Sequence, residues 1–226
     1  MTQIAGVDGC PKGWIAIVLK DGHFARAEFF PTFAELLSVL ADAQVIAVDI
    51  PIGLPGGSEP RAADIEARKL LGPRGSSVFA TPPRVVLEAP SYRKANRLSK
   101  QRFGRGISTQ SYALRKKIFE VDVCAAEDDR IYEVHPEVCF TQMNGEPLAY
   151  SKKSWHGQAT RLRLLANAGI TIPDDLGGVG KIPPDDVIDA AAAAWSADRI
   201  ANGKADCLGV PALDAKPNPS AGQIWY

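Results

Sequence analysis

The sequence predicts an α/β fold in which a mixed five-stranded sheet is flanked by helices. Three strand-like segments follow one another at the N-terminus through short turns, which implies antiparallel hairpins. A helical segment then leads to the continuous apolar run VIAVDI, which is typical of a strand covered on both faces. Because a helix supplies the crossover, that strand is expected to lie parallel to the first. A fifth strand-like segment, RIYEVHP, and an Ala-rich closing helix complete the pattern.

The order of these elements is that of the ribonuclease H-like fold. The N-terminal strands are IAGVD, WIAIVLK and HFARAEFF, and the turns GCPKG and KDG join them. Thr32 is expected to cap the first helix. Helices are predicted over residues 33–41, 61–71, 91–98, 108–123, 158–168 and 186–200. The Pro-rich tail after Val210 is expected to follow the surface.

Length and composition indicate an ordinary globular protein. The chain has 226 residues, of which 46% are apolar and 23% charged, so it can bury a substantial core. We predict a single domain over residues 1–226, with a helical, basic insertion over residues 56–125. No signal peptide is recognisable and no apolar stretch approaches the length of a membrane span, so a cytoplasmic protein without a membrane partner is expected.

The four cysteines are scattered and include no CxxC pair. This spacing argues against a zinc site and, in a cytosolic protein, against a set of disulfides. Cys10, Cys124, Cys139 and Cys207 are therefore predicted to be buried thiols.

The formal net charge is zero, but the basic residues are unevenly distributed. Between residues 84 and 117 there are ten basic residues and one acidic residue, Glu88. Such a segment can hold a phosphate-rich partner such as nucleic acid. It can equally form a solvated helical face that acids elsewhere balance, and the sequence leaves both interpretations open.

Four aspartates lie at the ends of apolar segments, where charged side chains are uncommon. Asp8 closes the first strand and Asp49 closes its parallel neighbour, so the two carboxylates are expected to meet at one sheet edge. Asp186 and Asp189 are three residues apart on the closing helix and share a face. Buried carboxylates require compensation, and a divalent metal is a common form of it.

Some of these acids also have a structural interpretation. The two strand-end acids can each be turn or cap residues. Asp185 is expected to cap the closing helix, and Asp186 falls in the first turn, where negative charge favours the helix dipole. Glu133 alternates with apolar neighbours on the fifth strand, so it faces either solvent or the acidic centre. His135, just beyond, is a weaker candidate for proton transfer.

The candidate ligands are hard oxygen donors, which favours Mg²⁺ or Mn²⁺ over zinc. In a two-metal site the ions lie roughly 4 Å apart and promote an in-line phosphoryl displacement. The loop RGSSVFATPPR carries donors that suit a phosphate, although it can equally be an ordinary surface loop. The candidate phosphate-binding residues are Arg74, Ser76, Ser77, Thr81, Arg84 and, in the basic segment, Arg105.

The sequence resembles the domain-of-unknown-function family 429 over nearly the whole chain. Five blocks in order carry this resemblance: GVDGCPKGW, AVDIPIGLP, RGSSVFATPPR, YEVHPEVCF with MNGEPL, and DDVIDAAAAAW. Its members are described as predicted nucleases of the ribonuclease H-like superfamily. In that superfamily, as in Holliday-junction resolvases, acids lie on the first strand, the fourth strand and the last helix. The resemblance implies that Asp8, Asp49, Asp186 and Asp189 bind metal. Glu133 has no direct counterpart there.

The leading hypothesis is a Mg²⁺- or Mn²⁺-dependent nuclease that hydrolyses the phosphodiester bonds of nucleic acid or of another phosphate-containing substrate. Its catalytic residues are predicted to be Asp8, Asp49, Glu133 and Asp189. One alternative is an actin-like phosphotransferase or ATPase, in which the Asp-Gly turn after the first strand holds nucleotide phosphates. Another is a non-catalytic module that binds nucleic acid or protein.

Overall fold

A five-stranded mixed sheet lies at the centre of the protein. The computed structural model describes residues 2–209 and 221–226. The strands are β1 (Gln3–Cys10), β2 (Gly13–Lys20), β3 (His23–Phe30), β4 (Val45–Val48) and β5 (Ile131–Glu133). Their spatial order is β3-β2-β1-β4-β5; the β3-β2 and β2-β1 pairs are antiparallel, whereas β1-β4 and β4-β5 are parallel. This is the topology of the ribonuclease H-like fold, so the predicted fold class is confirmed.

Helices cover both faces of this sheet. They are α1 (Phe33–Val39), α2 (Ala62–Leu71), α3 (Arg84–Leu87), α4 (Tyr92–Phe103), α5 (Thr109–Ala113), α6 (Arg115–Ala125), α7 (Pro136–Asn144), α8 (Trp155–Asn167) and α9 (Pro184–Ala201). Short 3₁₀ helices span Gly72–Ser77 and Gly177–Lys181. A separate two-stranded sheet pairs β6 (Cys207–Leu208) with β7 (Ile224–Trp225). Residues of α7, α8 and α9 pack on one face of the main sheet, and residues of α1 and α6 pack on the other.

Several helix boundaries differ from the expected ones. Thr32 caps α1 as expected, because its Oγ1 accepts a hydrogen bond from the Glu35 amide at 3.2 Å. The single helix expected over residues 108–123 is divided into α5 and α6 at Leu114. Helix α7 was not anticipated, since it begins at Pro136 directly after the fifth strand and its residues lack a clear helical period.

The closing helix begins earlier than the sequence suggested. Pro184 is its first residue and Pro183 its cap, so Asp185 lies in the first turn and is not the cap. Proline suits this position because its missing amide has no helical partner there. Asp185 instead forms an ion pair with Lys153, with 3.0 Å between Oδ2 and Nζ.

Helix α9 lies directly against β1 because neither element has bulky side chains at the contact. A Cβ atom at Gly6 would lie 1.9 Å from the Ala194 nitrogen and 2.3 Å from the Ala190 oxygen. The five alanines at positions 190–194 are fully buried, and backbone atoms of Ala190, Ala193 and Ala194 face Gly6. The two backbones therefore approach each other more closely than any other side chain at position 6 would permit, and the start of α9 is held at the carboxyl end of β1.

All four cysteines lie in the described part of the chain and are free thiols; Cys10 and Cys139 are buried, and Cys124 and Cys207 are partly buried. Among the described residues, no helix is both long enough and apolar enough to cross a membrane. Most of the Pro-rich tail, residues 210–220, lies outside the described residues, so its expected course on the surface stays a prediction.

We expect Gly6→Ala to lower the free energy of unfolding by about 3 kcal/mol or more, because the added methyl group overlaps helix backbone that cannot move aside locally. Urea unfolding followed by circular dichroism measures this. Gly178→Ala is the matched control, because a Cβ there meets nothing within 4 Å. Equal stability of the two variants would show that α9 can shift away from β1 at little cost.

Candidate functional site

Neighbouring positions on β1 and after β4 place two carboxylates side by side. Val7 of β1 pairs with Val48 of β4 in parallel register, so the next residues, Asp8 and Asp49, are also neighbours. Strand β4 ends at Val48, but β1 continues to Cys10, so Asp8 does not close the first strand as expected and still pairs with Ile15 of β2. The Asp49 amide continues the ladder by donating to the Val7 carbonyl at 3.0 Å. The Asp8 carboxylate accepts a hydrogen bond from the Gly9 amide at 2.6 Å. The convergence expected from the sequence is therefore present at this edge.

A third carboxylate reaches the same place from α9. Asp189 is only 1% exposed, and its helix packs against β1. One oxygen from each of Asp8, Asp49 and Asp189 lies within 4.8 Å of the others. We call these three residues the acidic cluster. Asp186, one turn earlier on α9, is partly exposed and does not belong to this group.

A lysine already neutralises part of the acidic cluster. Lys152 lies in the segment between α7 and α8, and its Nζ donates a short hydrogen bond to Oδ2 of Asp189. Burial acts to lower the pKa of Lys152, but Asp189, Asp49 and Asp8 outweigh it and raise that pKa above its usual range. The side chain remains 36% exposed, so the ammonium group has a route to solvent.

Burial raises the pKa of each carboxylate in the acidic cluster. It brings the pKa of Asp49 to about 6 and that of Asp189 to about 6, although Lys152 acts in the opposite direction at both. Burial, reinforced by Asp49 and Asp189, also raises the pKa of Asp8 well above its usual range. The protein thus holds three carboxyl groups where burial and mutual repulsion disfavour their ionised forms, which is the condition under which a bound cation stabilises a site.

Glu133 does not join the acidic cluster, because an arginine binds both of its oxygens. Arg61 Nη2 lies 2.6 Å from Glu133 Oε1, and Arg61 Nη1 lies 2.7 Å from Oε2, which also accepts from the Ile52 amide at 2.6 Å. Arg61 binds Asp64 as well, at 2.6 Å, and Asp64 accepts from the Thr81 amide at 2.8 Å. This buried network fixes the end of β5 to α2. The burial of Glu133 is thus accounted for by a structural role.

A second buried ion pair supports the other side of the acidic cluster. Arg161 of α8 is fully buried and donates to Glu137 at 2.5 Å. His135 precedes Glu137 by two residues, and burial lowers its pKa, which favours the neutral imidazole. Its Nδ1 is buried with no hydrogen-bond partner among the described residues. His135 therefore stays a candidate for a polar contact with a ligand.

The acidic cluster, Lys152 and His135 line a cleft of about 540 Å³, and Arg61, Glu133 and Glu137 line it as well. Of the expected phosphate-binding residues, Arg74, Ser76 and Ser77 lie on its wall. Arg74 Nη2 also donates to the Tyr150 carbonyl at 2.7 Å. Thr81 lines the cleft too but is almost fully buried.

The other two expected phosphate-binding residues lie outside the cleft lining. Arg84 forms an ion pair with Asp122 of α6 and lies 5.7 Å from the ring centre of Phe119. Arg105 donates to the carbonyl of Ser58 at 3.2 Å. The structure therefore separates these two residues from Arg74, Ser76 and Ser77, and any contact that they make with a substrate lies beyond the cleft.

The family described as "Protein of unknown function (DUF429)" matches residues 6–213, which is most of the chain. The chain belongs to the DUF429 family. No curated protein matches it. Among solved structures it is similar to one titled "Thermus thermophilus RuvC structure", with 14% identity and a TM-score of 0.41 over 90% of this chain and 98% of that one. The matched DUF429 region contains the whole acidic cluster, Lys152 and the Arg61 network.

Sequence reasoning missed the basic partners of these acids. Lys152 lies in the polar run SKKSW, which has no periodicity, and nothing in that run distinguishes Lys152 from Lys153. Arg61 is the first residue of a predicted helix and resembles any exposed residue there. A general signal was available, because buried carboxylates require cationic partners, but it does not identify which lysine or arginine supplies them.

We expect Asp49→Asn to stabilise the metal-free protein at about pH 8 by on the order of 1–2 kcal/mol and to have little effect at about pH 4. The pKa of Asp49 rises from 3.8 to about 6 on folding, so the folded state binds the proton more tightly. The contribution of Asp49 to the free energy of unfolding is therefore largest at low pH and declines as the pH rises from about 4 through about 6. Asparagine does not ionise, so this pH-dependent loss of stability disappears in the variant.

Urea unfolding in the presence of a chelator, at both pH values, measures the difference. Asp174→Asn, an exposed loop residue, is the control and should change stability equally at both. A pH-independent effect of Asp49→Asn would contradict the proposed crowding of charge.

Proposed function

We propose that this protein is a divalent-metal-dependent nuclease, which hydrolyses phosphodiester bonds in the cleft above the acidic cluster. The observation that supports this most strongly is the convergence of three carboxylates, two buried and one partly buried, from β1, the end of β4 and α9, with oxygens within 4.8 Å of one another. Three separate chain segments contribute, so no local turn or helix cap accounts for the arrangement.

The donor set fits a hard cation. All three side chains offer carboxylate oxygens, the described residues put no cysteine or histidine into the group, and burial has raised the pKa of each member. Mg²⁺ and Mn²⁺ prefer such ligands. Asp8, Asp49 and Asp189 would hold the ion, and Asp186 would lie close by. When bound, the ion supplies an activated water and neutralises charge on the phosphate during its displacement.

The residues of the chain itself would bind and orient the substrate. Ser76, Ser77 and Arg74 lie on the wall of the cleft, where hydroxyl and guanidinium groups can donate to phosphate oxygens. Lys152 would be free to pair with a substrate phosphate once its carboxylate partner, Asp189, binds the metal ion. The Arg61 network keeps the strand end that carries Glu133 rigid, so we assign Glu133 a positioning role in this mechanism.

A basic helix supports nucleic acid as the substrate class. Helix α4 exposes five basic side chains and contains no acidic residue: Arg93, Lys94, Arg97, Lys100 and Arg102. None of the ion pairs found in residues 2–209 and 221–226 involves them. Helix α4 packs against α5, from which Gln110 reaches the cleft. A polyanionic strand would be attracted along this side of the protein.

Replacing a carboxylate of the acidic cluster tests this function. With Mn²⁺, the wild type should cleave at least one of labelled single-stranded, duplex, hybrid or branched substrates. Asp8→Asn and Asp189→Asn should each lower the rate by more than about a hundredfold. Loss of a residue that only hydrogen-bonds to a metal ligand already costs about 10- to 100-fold, and these residues would be ligands themselves. Asp198→Asn is the control, because it removes a carboxylate of the same helix, α9, away from the cleft.

Cleavage that persists unchanged in Asp8→Asn would refute the mechanism. Binding and hydrolysis of ATP without any cleavage of nucleic acid would favour the phosphotransferase alternative, and nucleic-acid binding without either activity would favour the non-catalytic module.

The ion pair between Lys152 and Asp189 makes a separate prediction about metal affinity. Lys152 competes with a divalent cation for Asp189, so Lys152→Met should tighten Mn²⁺ binding by about tenfold at alkaline pH, where protons no longer compete. Calorimetric titration measures this directly. Lys181→Met is the control, since Lys181 is an exposed lysine shortly before α9 that lies outside the cleft. An unchanged or weaker affinity in Lys152→Met would contradict the competition.

A further inference from the structure

Exposed aromatic rings flank the lysine segment at the edge of the cleft. Ser151, Lys152 and Lys153 line the cleft, Tyr150 precedes them, and Trp155 and His156 follow. Trp155 is 80% exposed and Tyr150 is 54% exposed. The rings of Tyr150 and His156 lie 5.1 Å apart at an angle of 30°. We call Tyr150, Trp155 and His156 the aromatic rim.

Large exposed rings that cluster in one segment are unusual, because burying them elsewhere would be favourable. Trp155 is the most exposed of the large apolar side chains in residues 2–209 and 221–226. It is the first residue of α8, and its removal would disrupt no packed core. The exposure of the aromatic rim therefore calls for a partner outside the folded chain.

The backbone beneath the aromatic rim is firmly held. The Tyr150 carbonyl accepts hydrogen bonds from Arg74 at 2.7 Å and from Arg161 at 3.2 Å. Ser154 caps α8, because its Oγ accepts from the Gly157 amide at 3.1 Å. A Cβ atom at Gly157 would lie 1.9 Å from the Ser151 carbonyl, so only glycine permits this close turn. The rings are thus presented on a rigid segment, which lowers the entropy lost on binding.

We propose that the aromatic rim stacks unpaired bases of a single-stranded nucleic acid whose backbone enters the acidic cleft. Aromatic faces bind bases of any identity, and the neighbouring cations bind phosphate. Lys153 and Arg74 are placed beside the rim to offset repulsion between the acidic cluster and the phosphates. Bases within a duplex have their faces covered by neighbouring pairs, so the rim selects a single strand or an unpaired segment of a longer molecule.

The charge arrangement favours nucleic acid over an apolar peptide as the occupant. Two lysines, Lys152 and Lys153, lie in the sequence between Tyr150 and Trp155 of the aromatic rim. Lys152 and Lys153 pair with Asp189 and Asp185 in the free protein, and an apolar peptide would offer no further anion to either lysine. A nucleic-acid strand supplies an anion at every residue together with a flat ring for each aromatic face.

This proposal rests on the proposed nuclease function, since it assigns the substrate to the same cleft, and binding is therefore measured apart from cleavage. The probes are fluorescein-labelled single-stranded DNA, RNA of the same sequence, and the DNA annealed to its complement, with Ca²⁺ in place of Mn²⁺. The wild type should bind both single strands more tightly than the duplex, with quenching of tryptophan fluorescence. Trp155→Ala and Tyr150→Ala should each weaken single-strand binding by about tenfold.

Two further variants separate stacking from general effects. Trp155→Phe keeps an aromatic face, so binding should be retained while most of the quenching is lost. Leu162→Ala removes a 42% exposed apolar side chain from the same helix, α8, and should change nothing. The proposal is overturned if the wild type does not bind single strands, if Trp155→Ala binds like the wild type, or if Trp155→Phe shows undiminished quenching. If this binding pattern holds without Mn²⁺-dependent cleavage, the aromatic rim stands and the nuclease function fails.

Discussion

The close contact between β1 and α9 positions the rest of the site. Gly6 has no side chain and the facing helix residues are alanines, so helix and strand meet through their backbones. A strand and a helix in such contact have little freedom to slide, because every displacement brings backbone atoms into overlap. Asp189 is only one residue before the first buried alanine of that contact, and Asp8 is two residues beyond Gly6. The distance between these two carboxylates is therefore set by packing that neither of them contributes.

This rigid arrangement brings together charges that repel one another. The strand ladder fixes Asp8 beside Asp49, the helix contact adds Asp189, and burial raises the pKa of all three. The surrounding structure reduces this repulsion only through the positive charge of Lys152. Removing the carboxylates would relieve it. Two ion pairs nearby differ from the acidic cluster, because a buried arginine neutralises the acid in each. These pairs are Arg61 with Glu133 and Arg161 with Glu137. Within residues 2–209 and 221–226, the three carboxylates of the acidic cluster share one lysine, which supports the proposal that this cluster binds a ligand and does not serve stability alone.

How much the sequence predicts depends on how locally each feature is encoded. Asp8 and Asp49 could be identified because each follows an apolar run, and two parallel strands bring such positions to one edge, although β1 itself continues past Asp8 to Cys10. Glu133 obeys the same rule and was expected at the same centre, but its side chain is held by Arg61, whose approach depends on the path of a long loop. Lys152 was missed for the corresponding reason, because it lies in a segment that depends on tertiary contacts for its course. Strand-encoded positions are thus predictable from pattern, while loop-supplied counter-ions are not.

In the proposed function, two parts of the protein would have different tasks. Helix α4 carries dispersed positive charge, which would attract a polyanion over a distance without fixing its position. Tyr150 and Trp155, in contrast, lie on a backbone that two arginines and a tight glycine contact hold in place. Dispersed charge tolerates many strand paths, whereas rigid rings admit few. If the proposed function holds, a strand attracted by the basic helix would take a fixed position only when its bases reach the aromatic rim. Lys152 follows Tyr150 of the rim by two residues and contacts Asp189 of the acidic cluster, so a base held at the rim would place its phosphate near the carboxylates.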